Sequence, residues 1–259
     1  MQTKIENSFL RFAGLSKADL HIHSNYSDGK ASIEEILAYV ENKTDLSIIA
    51  ITDHDTLDGA LKAKRIAENH KFKFEIIVGE EITSKDGHIV GLFLKERVNP
   101  GMSARRTVNA IHRQDGLAIA VHPFYNTHFF HPDHPIMHGV GPSILLRLRS
   151  IFDAVESVNS TLTLGQSNIL AQIYNKTVIH SAETGSSDAH ILDAIGHGYT
   201  LFQGKSKSDL RRSILRAQTK AMYKRWHFLE ILRYMYFFIP KGLRIVTYSI
   251  LHPRHLKNK

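Results

Sequence analysis

An α/β fold around a mainly parallel sheet, either doubly wound or closed as a barrel, is what this 259-residue chain predicts, and three observations make the prediction. Short apolar runs alternate with helical patterns, the order that lays strands side by side with helices crossing between them. Histidines and carboxylates recur where those runs end. The composition, 42% hydrophobic and 22% charged, suits one sizeable core and excludes both a disordered chain and a coiled coil.

The elements follow in chain order. Residues 18–22 read as a buried strand that holds His21 and leads directly into His23. Two positions apart on extended backbone, these side chains leave the same face and can grip one ion, while Ile22 turns into packing. Asp28 follows in a Ser-Asp-Gly turn whose Gly29 lets the chain bring the carboxylate back toward the imidazoles. A helix over 32–42 starts at a Ser32/Glu35 capping box. The apolar run 46–51 ends in Thr52-Asp53-His54-Asp55, where Asp53 and Asp55 are read as caps for a helix over 58–69.

Residues 75–78 form the next strand and lead into Glu80 and Glu81, with an additional strand over 88–94 that begins at His88. A helix over 103–114 precedes the strand 117–121, which ends at His122. A strand over 154–158, a helix over 164–174 and a strand over 177–180 complete the series, and Asp188 and His190 follow the last. A closed parallel barrel would gather all these strand ends at one face, where such barrels carry their active sites. Any single histidine has an ordinary structural reading. Five strand ends bearing ligand-type residues do not share that reading easily.

Cysteine is absent, so disulfides and thiolate metal sites are excluded and any metal must be held by His, Asp and Glu. The first ten residues lack the apolar stretch of a secretory signal, which makes a cytoplasmic location the expectation. No Walker-type phosphate loop and no Ser-His-Asp nucleophile emerge. His197, Arg105, Arg106 and the histidine-rich segment 128–134 are secondary candidates for substrate contact, each with an equally good structural or solvated reading.

Charge divides the chain into two parts, a domain over 1–204 and a basic, aromatic-rich helical extension over 205–259. The extension holds 14 Lys and Arg against two acids, whereas the first 204 residues hold 19 against 23. The apolar stretch from Trp226 to Ile239 is interrupted by Glu230 and Arg233, is expected to stop at Pro240, and is too short and charged to span a bilayer. It suits packing on the barrel or self-association, a membrane interface at the inner face of the membrane, or contact with nucleic-acid phosphates. No specific protein partner is indicated.

The motifs resemble those of the PHP (polymerase and histidinol phosphatase) superfamily. They are Asp19-Leu-His-Ile-His-Ser with Ser27-Asp-Gly, Thr52-Asp-His-Asp, Gly79-Glu-Glu-Ile, His88-Ile-Val-Gly-Leu, Val121-His-Pro-Phe and Gly185-Ser-Ser-Asp-Ala-His. Softer matches are Val155-Glu-Ser-Val-Asn and Ile195-Gly-His-Gly-Tyr-Thr. The resemblance covers about residues 17–204 and implies a distorted (β/α)7 barrel with two or three divalent ions, Mn²⁺, Zn²⁺ or Fe²⁺, at the C-terminal ends of the strands. It places His21, His23, Glu81 and Asp188 around one ion and Asp28, His54 and His190 around a second. A third would share Glu81 with His88 and His122, and Glu80 is the alternative to Glu81 should that alignment slip.

Such a centre implies phosphate ester hydrolysis. Paired ions acidify a water to hydroxide at neutral pH and stabilise the oxygens of a phosphoryl group under attack. The expected substrate is a phosphorylated small molecule or the terminus of a nucleotide or oligonucleotide. The alternatives are a PHP module that binds metal without turnover, for which missing ligands would be expected, and a membrane-surface interaction protein centred on the tail.

Overall fold

The computed structural model describes residues 14–125 and 138–251, the last twelve of these as helical backbone. Their nine strands are β1 (Leu15–Asp19), β2 (Ile48–Ile51), β3 (Glu75–Ser84), β4 (Gly87–Leu92), β5 (Leu117–Ala120), β6 (Ala154–Asn159), β7 (Ala182–Ser186), β8 (Gly198–Gln203) and β9 (Lys220–Tyr223). They form one sheet in the order β7-β6-β5-β4-β3-β2-β1-β8-β9. The sheet curls until β7 lies against β8 and β9, giving a nearly closed barrel of the kind expected for a PHP fold. The helices are α1 (Ile33–Lys43), α2 (Asp58–Asn69), α3 (Ala104–Arg113), α4 (Gly141–Arg147), α5 (Gly165–Tyr174), α6 (Lys207–Leu215) and α7 (Phe228–Leu251).

The expectation of a mainly parallel sheet is corrected. Pairs β1/β2, β2/β3, β5/β6 and β6/β7 are parallel, but β3/β4, β4/β5, β1/β8 and β8/β9 are antiparallel. The cause is local. The Ser84–Gly87 turn folds β3 straight back into β4, leaving no room for a crossover helix, and such short links favour antiparallel neighbours.

Alternation along the strands sorts the core. Ile48 and Ala50 face the barrel interior with Leu20, Ile77, Val90, Ile119 and Phe202. Their neighbours Ile49 and Ile51 face outward under α1 and α2 with Ile36, Leu37 and Ala63. Strands covered on both faces read as continuous apolar runs, which is why this region was legible from sequence. Leu210 and Ile214 of α6 enter the interior cluster and close the end of the barrel away from the ligand-type residues.

The segment 177–180, expected as a strand, is instead part of a π-helical turn, Asn175–Ile179, continuing α5. His180 ends it in the left-handed region at φ 61°. Asn175 fixes the exit, its Oδ1 accepting from Ser181 N at 3.1 Å and its Nδ2 donating to Ser181 O at 3.0 Å. The strand starts later, over the small residues of Ala182–Ser186. Gly185 and Gly198 allow this strand and β8 to touch backbone to backbone: a Cβ at Gly198 would overlap Ser186, and one at Gly185 would overlap Tyr199 and Met222.

Past residue 204, α6 packs on the interior cluster and β9 pairs with β8 to continue the same sheet. Helix α7 runs through Pro240 to Leu251, so the expected stop there is corrected. A proline deletes one helical hydrogen bond and crowds one carbonyl, a local defect that the regular apolar sequence on either side spans. The near half of α7 docks on the barrel. Tyr234 is buried among Ile22, Ile191 and Ile195. Trp226 stacks on His197 at 4.3 Å and donates its indole N–H to Ser160 O at 2.9 Å.

Candidate metal centre

The C-terminal ends of the strands meet in one cleft because two isolated parallel bridges extend the sheet there. Ile22 pairs with Ala189 and His54 with Glu81. The first is secured by His23 N–H to Ala189 O at 2.9 Å and Ala189 N–H to His21 O at 3.3 Å. With Ile22 and Ala189 in register, their neighbours His21 and His23 stand beside Asp188 and His190 on one side of the seam.

Glu81 is the centre of the cluster. Its Oε2 lies 3.0 Å from His21 Nε2, 3.2 Å from His23 Nε2 and 3.4 Å from His54 Nδ1, and its Oε1 lies 2.9 Å from His88 Nδ1 and 3.1 Å from His122 Nε2. Asp188 Oδ1 stands 3.2 Å from His23 Nε2 and 3.6 Å from His21 Nε2. At the rim, half-exposed Asp28 pairs with His190 Nε2 at 3.1 Å. All nine sequence candidates therefore converge. Glu80 does not: on the opposite face of β3, it accepts from Val98 N at 2.8 Å, and burial pushes its pKa up to about 7.

Ligand atoms within 4.8 Å of one another fall into four sets: His23, Asp28, His54 and His190; His21, His122 and Asp188; His21, His23 and Glu81; and His54, Glu81 and His88. The sets overlap, and the resemblance divided them differently. His122 groups here with His21 and Asp188, although its Nε2 also reaches Glu81, and His23 adjoins the rim set.

Two of the clustered residues hold rare backbone conformations. His122 has φ 30° and Asp188 φ 53°, left-handed values that cost energy in non-glycine residues and cluster at functional sites. Electrostatics fit a cation. Burial opposes charge on Glu81 and Asp188, yet the surrounding imidazoles hold both carboxyls well below the usual range. Burial also opposes protonation of His23, but Asp188 and Glu81 outweigh it and raise its pKa to about 10. His54, governed by burial, falls to about 4. Among the described residues, both ring nitrogens of His23 and Nδ1 of His88 and of His122 are buried without a well-formed hydrogen bond. Buried polar atoms in that state are the usual sign of a missing ion or water. The oxygen and nitrogen donor set fits divalent transition metals.

A supporting layer lies beneath. Buried Glu156 on β6 places Oε1 3.1 Å from His21 Nδ1, accepts from His122 N–H at 2.8 Å and Asn159 Nδ2 at 3.0 Å, and bonds Ser186 Oγ. Asn159 Nδ2 also donates to Asp188 Oδ2 at 3.0 Å. Sequence reasoning noted the Val155–Asn159 segment only as a soft match and assigned these residues no role. The available signal was a carboxylate inside an apolar strand.

Asp53 and Asp55, expected as helix caps, do other work. Asp53 accepts from Ser24 N and Ser27 Oγ at 2.7 Å and from Ser24 Oγ at 2.6 Å, bracing the loop that delivers Asp28. Asp55 accepts from Thr83 N at 2.8 Å, and α2 starts without a side-chain cap. A carboxylate inside this crowded strand end finds backbone and hydroxyl donors closer than the helix start. His197 stacks on Trp226 and faces Glu230 at 3.4 Å, a packing role. Arg105 and Arg106 are exposed on α3, whose other face packs outside the barrel. Segment 128–134 lies outside the described residues. Phe238 of α7, unassigned from sequence, meets the His190 ring edge-on at 5.6 Å and walls one side of the cleft.

Comparison with known proteins adds the following. The family model described as the PHP domain matches residues 19–231. An uncharacterised protein of Methanocaldococcus jannaschii, MJ1587, is 41% identical over 118 residues, 42% of this chain and 68% of that protein. A phosphoribosyl 1,2-cyclic phosphate 1,2-diphosphodiesterase of Eggerthella lenta is 30% identical over 39% of this chain and 42% of its own length. A 5'-3' exoribonuclease of Haemophilus influenzae is 38% identical over 34% of this chain and 32% of its own. Among solved structures, a two-domain Bacteroides vulgatus protein containing a predicted PHP-like metal-dependent phosphoesterase superposes with TM-score 0.61 at 19% identity, over 81% of this chain and 65% of that one.

Proposed function

This chain belongs to the PHP family, and from that premise we propose that it is a metal-dependent hydrolase of phosphate esters, acting on a phosphomonoester or on the terminus of a nucleotide or oligonucleotide. The observation that carries the reading is one buried carboxylate, Glu81, reached by five imidazoles within 3.4 Å, with Asp188 beside them and Asp28 at the rim. A cluster so charged and so buried is costly unless it serves a cation. Two relatives matched over part of their length are named for cleaving phosphodiesters, which supports the reaction class.

His21, His23, Asp28, His54, Glu81, His88, His122, Asp188 and His190 would hold two or three divalent ions. Those ions, when bound, supply Lewis acidity for a phosphoryl oxygen and an acidified water. The chain's own residues arrange the rest. Glu156 accepts from His21 Nδ1, which fixes the tautomer that presents Nε2 to the cleft. Asp53 holds the loop of Asp28 so that its carboxylate stays beside His190. Phe238 and the docked part of α7 exclude water from one side.

The test is a panel of phosphomonoesters, nucleoside bisphosphates and oligonucleotides presented to protein loaded with Mn²⁺, Zn²⁺ or Fe²⁺. Metal-dependent release of phosphate or of a terminal nucleotide supports the reading and separates monoester from diester substrates. Metal binding without turnover on any of them would favour a non-catalytic PHP module. Full activity in a metal-free preparation overturns the mechanism.

A further inference from the structure

The loop that carries Asp188 and His190 is held at both ends by one side chain outside the ligand cluster. Asp19, the last residue of β1, is fully buried. Its Oδ1 accepts from Ser187 N–H at 3.0 Å and its Oδ2 from Gly196 N–H at 2.8 Å. The first donor lies immediately before Asp188, and the second lies beyond His190 and the single tight turn Leu192–Ala194. The whole ligand-bearing stretch is thus closed on one carboxylate.

Asp188 keeps its left-handed φ of 53° between two fixed points. Ser187 N–H on Asp19 holds the chain before it, and Ala189 N–H on His21 O at 3.3 Å holds the chain after it. A non-glycine residue persists in that conformation only where its surroundings over-determine it. Asp19 has no Lys or Arg ion partner among the described residues, so burying its charge is costly. An amide of the same shape would be easier to bury, but it offers one oxygen and would set its NH2 against the other N–H, donor against donor. Only a carboxylate serves both ends of the loop. Asp19 also stands two residues before His21, so the same side chain sets how His21 meets Asp188, whose Oδ1 lies 3.6 Å from His21 Nε2.

We propose that Asp19 is a positioning residue of the metal centre: without being a ligand, it clamps the 187–196 loop so that Asp188 and His190 reach the ions beside His21 and His23. The proposal rests on the reading of the cluster as a metal site. Two ligand sets draw on the clamped loop, His21 with His122 and Asp188, and His23 with Asp28, His54 and His190. The set of His54, Glu81 and His88 does not. Removing the clamp should therefore harm the centre selectively.

Calorimetric titration of metal-free Asp19→Asn with Mn²⁺, beside the wild-type chain and Asp188→Ala, tests this without any substrate, with circular dichroism confirming the fold at the titration temperature. The expected result is that the binding step removed by Asp188→Ala is weakened roughly ten- to a hundredfold in Asp19→Asn, while the remaining binding stays within about twofold of wild type. Asp19→Ser, which likewise cannot accept at two separate oxygens, should repeat the pattern. Wild-type affinity at every step in folded Asp19→Asn, or an equal loss at every step, overturns the proposal and leaves the metal-site reading standing. Loss of the fold in both variants assigns Asp19 to stability alone and also overturns it. A wild-type chain that binds no Mn²⁺ overturns the metal-site reading together with the proposal.

Discussion

Ile22 and Ala189 form a parallel bridge that joins the ends of the first and seventh strands, and that seam positions His21 and His23 beside Asp188 and His190. His21 and His23 flank one partner, Asp188 and His190 the other. Replacing His21 or Asp188 by alanine is therefore expected to reduce metal binding by at least about a hundredfold and activity to background. Metal content by elemental analysis and hydrolysis of an aryl phosphate check this, and an unaltered metal content in either variant would refute the assignment.

Glu80 and Glu81 point to opposite faces of β3 and should separate cleanly. Glu81→Gln is expected to abolish metal binding. Glu80→Gln should leave the metal stoichiometry unchanged, because its carboxylate serves Val98 N and not the cleft. Calorimetric titration of both variants with Mn²⁺ distinguishes them, and loss of binding in Glu80→Gln would reverse the assignment.

Glu156 orients His21 without belonging to any of the clustered ligand sets. Glu156→Gln is expected to weaken metal binding by roughly ten- to a hundredfold, the usual consequence of losing an outer partner of a ligating imidazole. A fold check by circular dichroism accompanies the affinity measurement, and wild-type affinity in a folded variant would remove Glu156 from this role.

Helix α7 is anchored by Tyr234, buried beside Trp226 and Phe238. Tyr234→Ala should cost about 3 kcal/mol, in line with large-to-small changes at buried aromatic sites. Urea denaturation measures it, and a loss below about 1 kcal/mol would mean that the helix is not part of the cooperative unit.

His197 gives the docked tail a pH dependence. Burial against Trp226 lowers its pKa below the ordinary imidazole value, with Glu230 opposing that only in part. A group whose folded-state pKa is depressed binds fewer protons folded than unfolded, so its contribution is present above about pH 6.5 and is lost as pH falls. Between pH 7.5 and 5.5 the wild-type thermal midpoint should fall further than that of His197→Gln. Equal falls would show that this histidine is not responsible.

Much of this was legible from sequence where periodicity and chemistry coincide. The helix Asp58–Asn69 was bounded to the residue, and the histidines and acids at the strand ends meet in one cleft. Strand β7 was misplaced because its residues, Ala-Glu-Thr-Gly-Ser, are small and polar; it is buried through glycine contacts to β8 rather than through bulk. Strands β8 and β9 escaped for a related reason, since strands with partly exposed residues along their length carry little apolar signal. Asp53 and Asp55 read as caps because sequence sees the nearest helix, whereas their donors arrive from the Ser24–Ser27 loop and from Thr83 of β3, 26 to 29 positions away. Glu156 had no role because its partners are brought together only by the curl of the sheet.

The seam between Ile22 and Ala189 also orders events during synthesis. Ser187 stands 166 positions after His21, so the nascent chain presents two histidines long before Asp188 and His190 exist to complete their surroundings. The cluster is therefore built from residues that the chain supplies at its two ends, and it is complete only once the seventh strand has been made and laid beside the first.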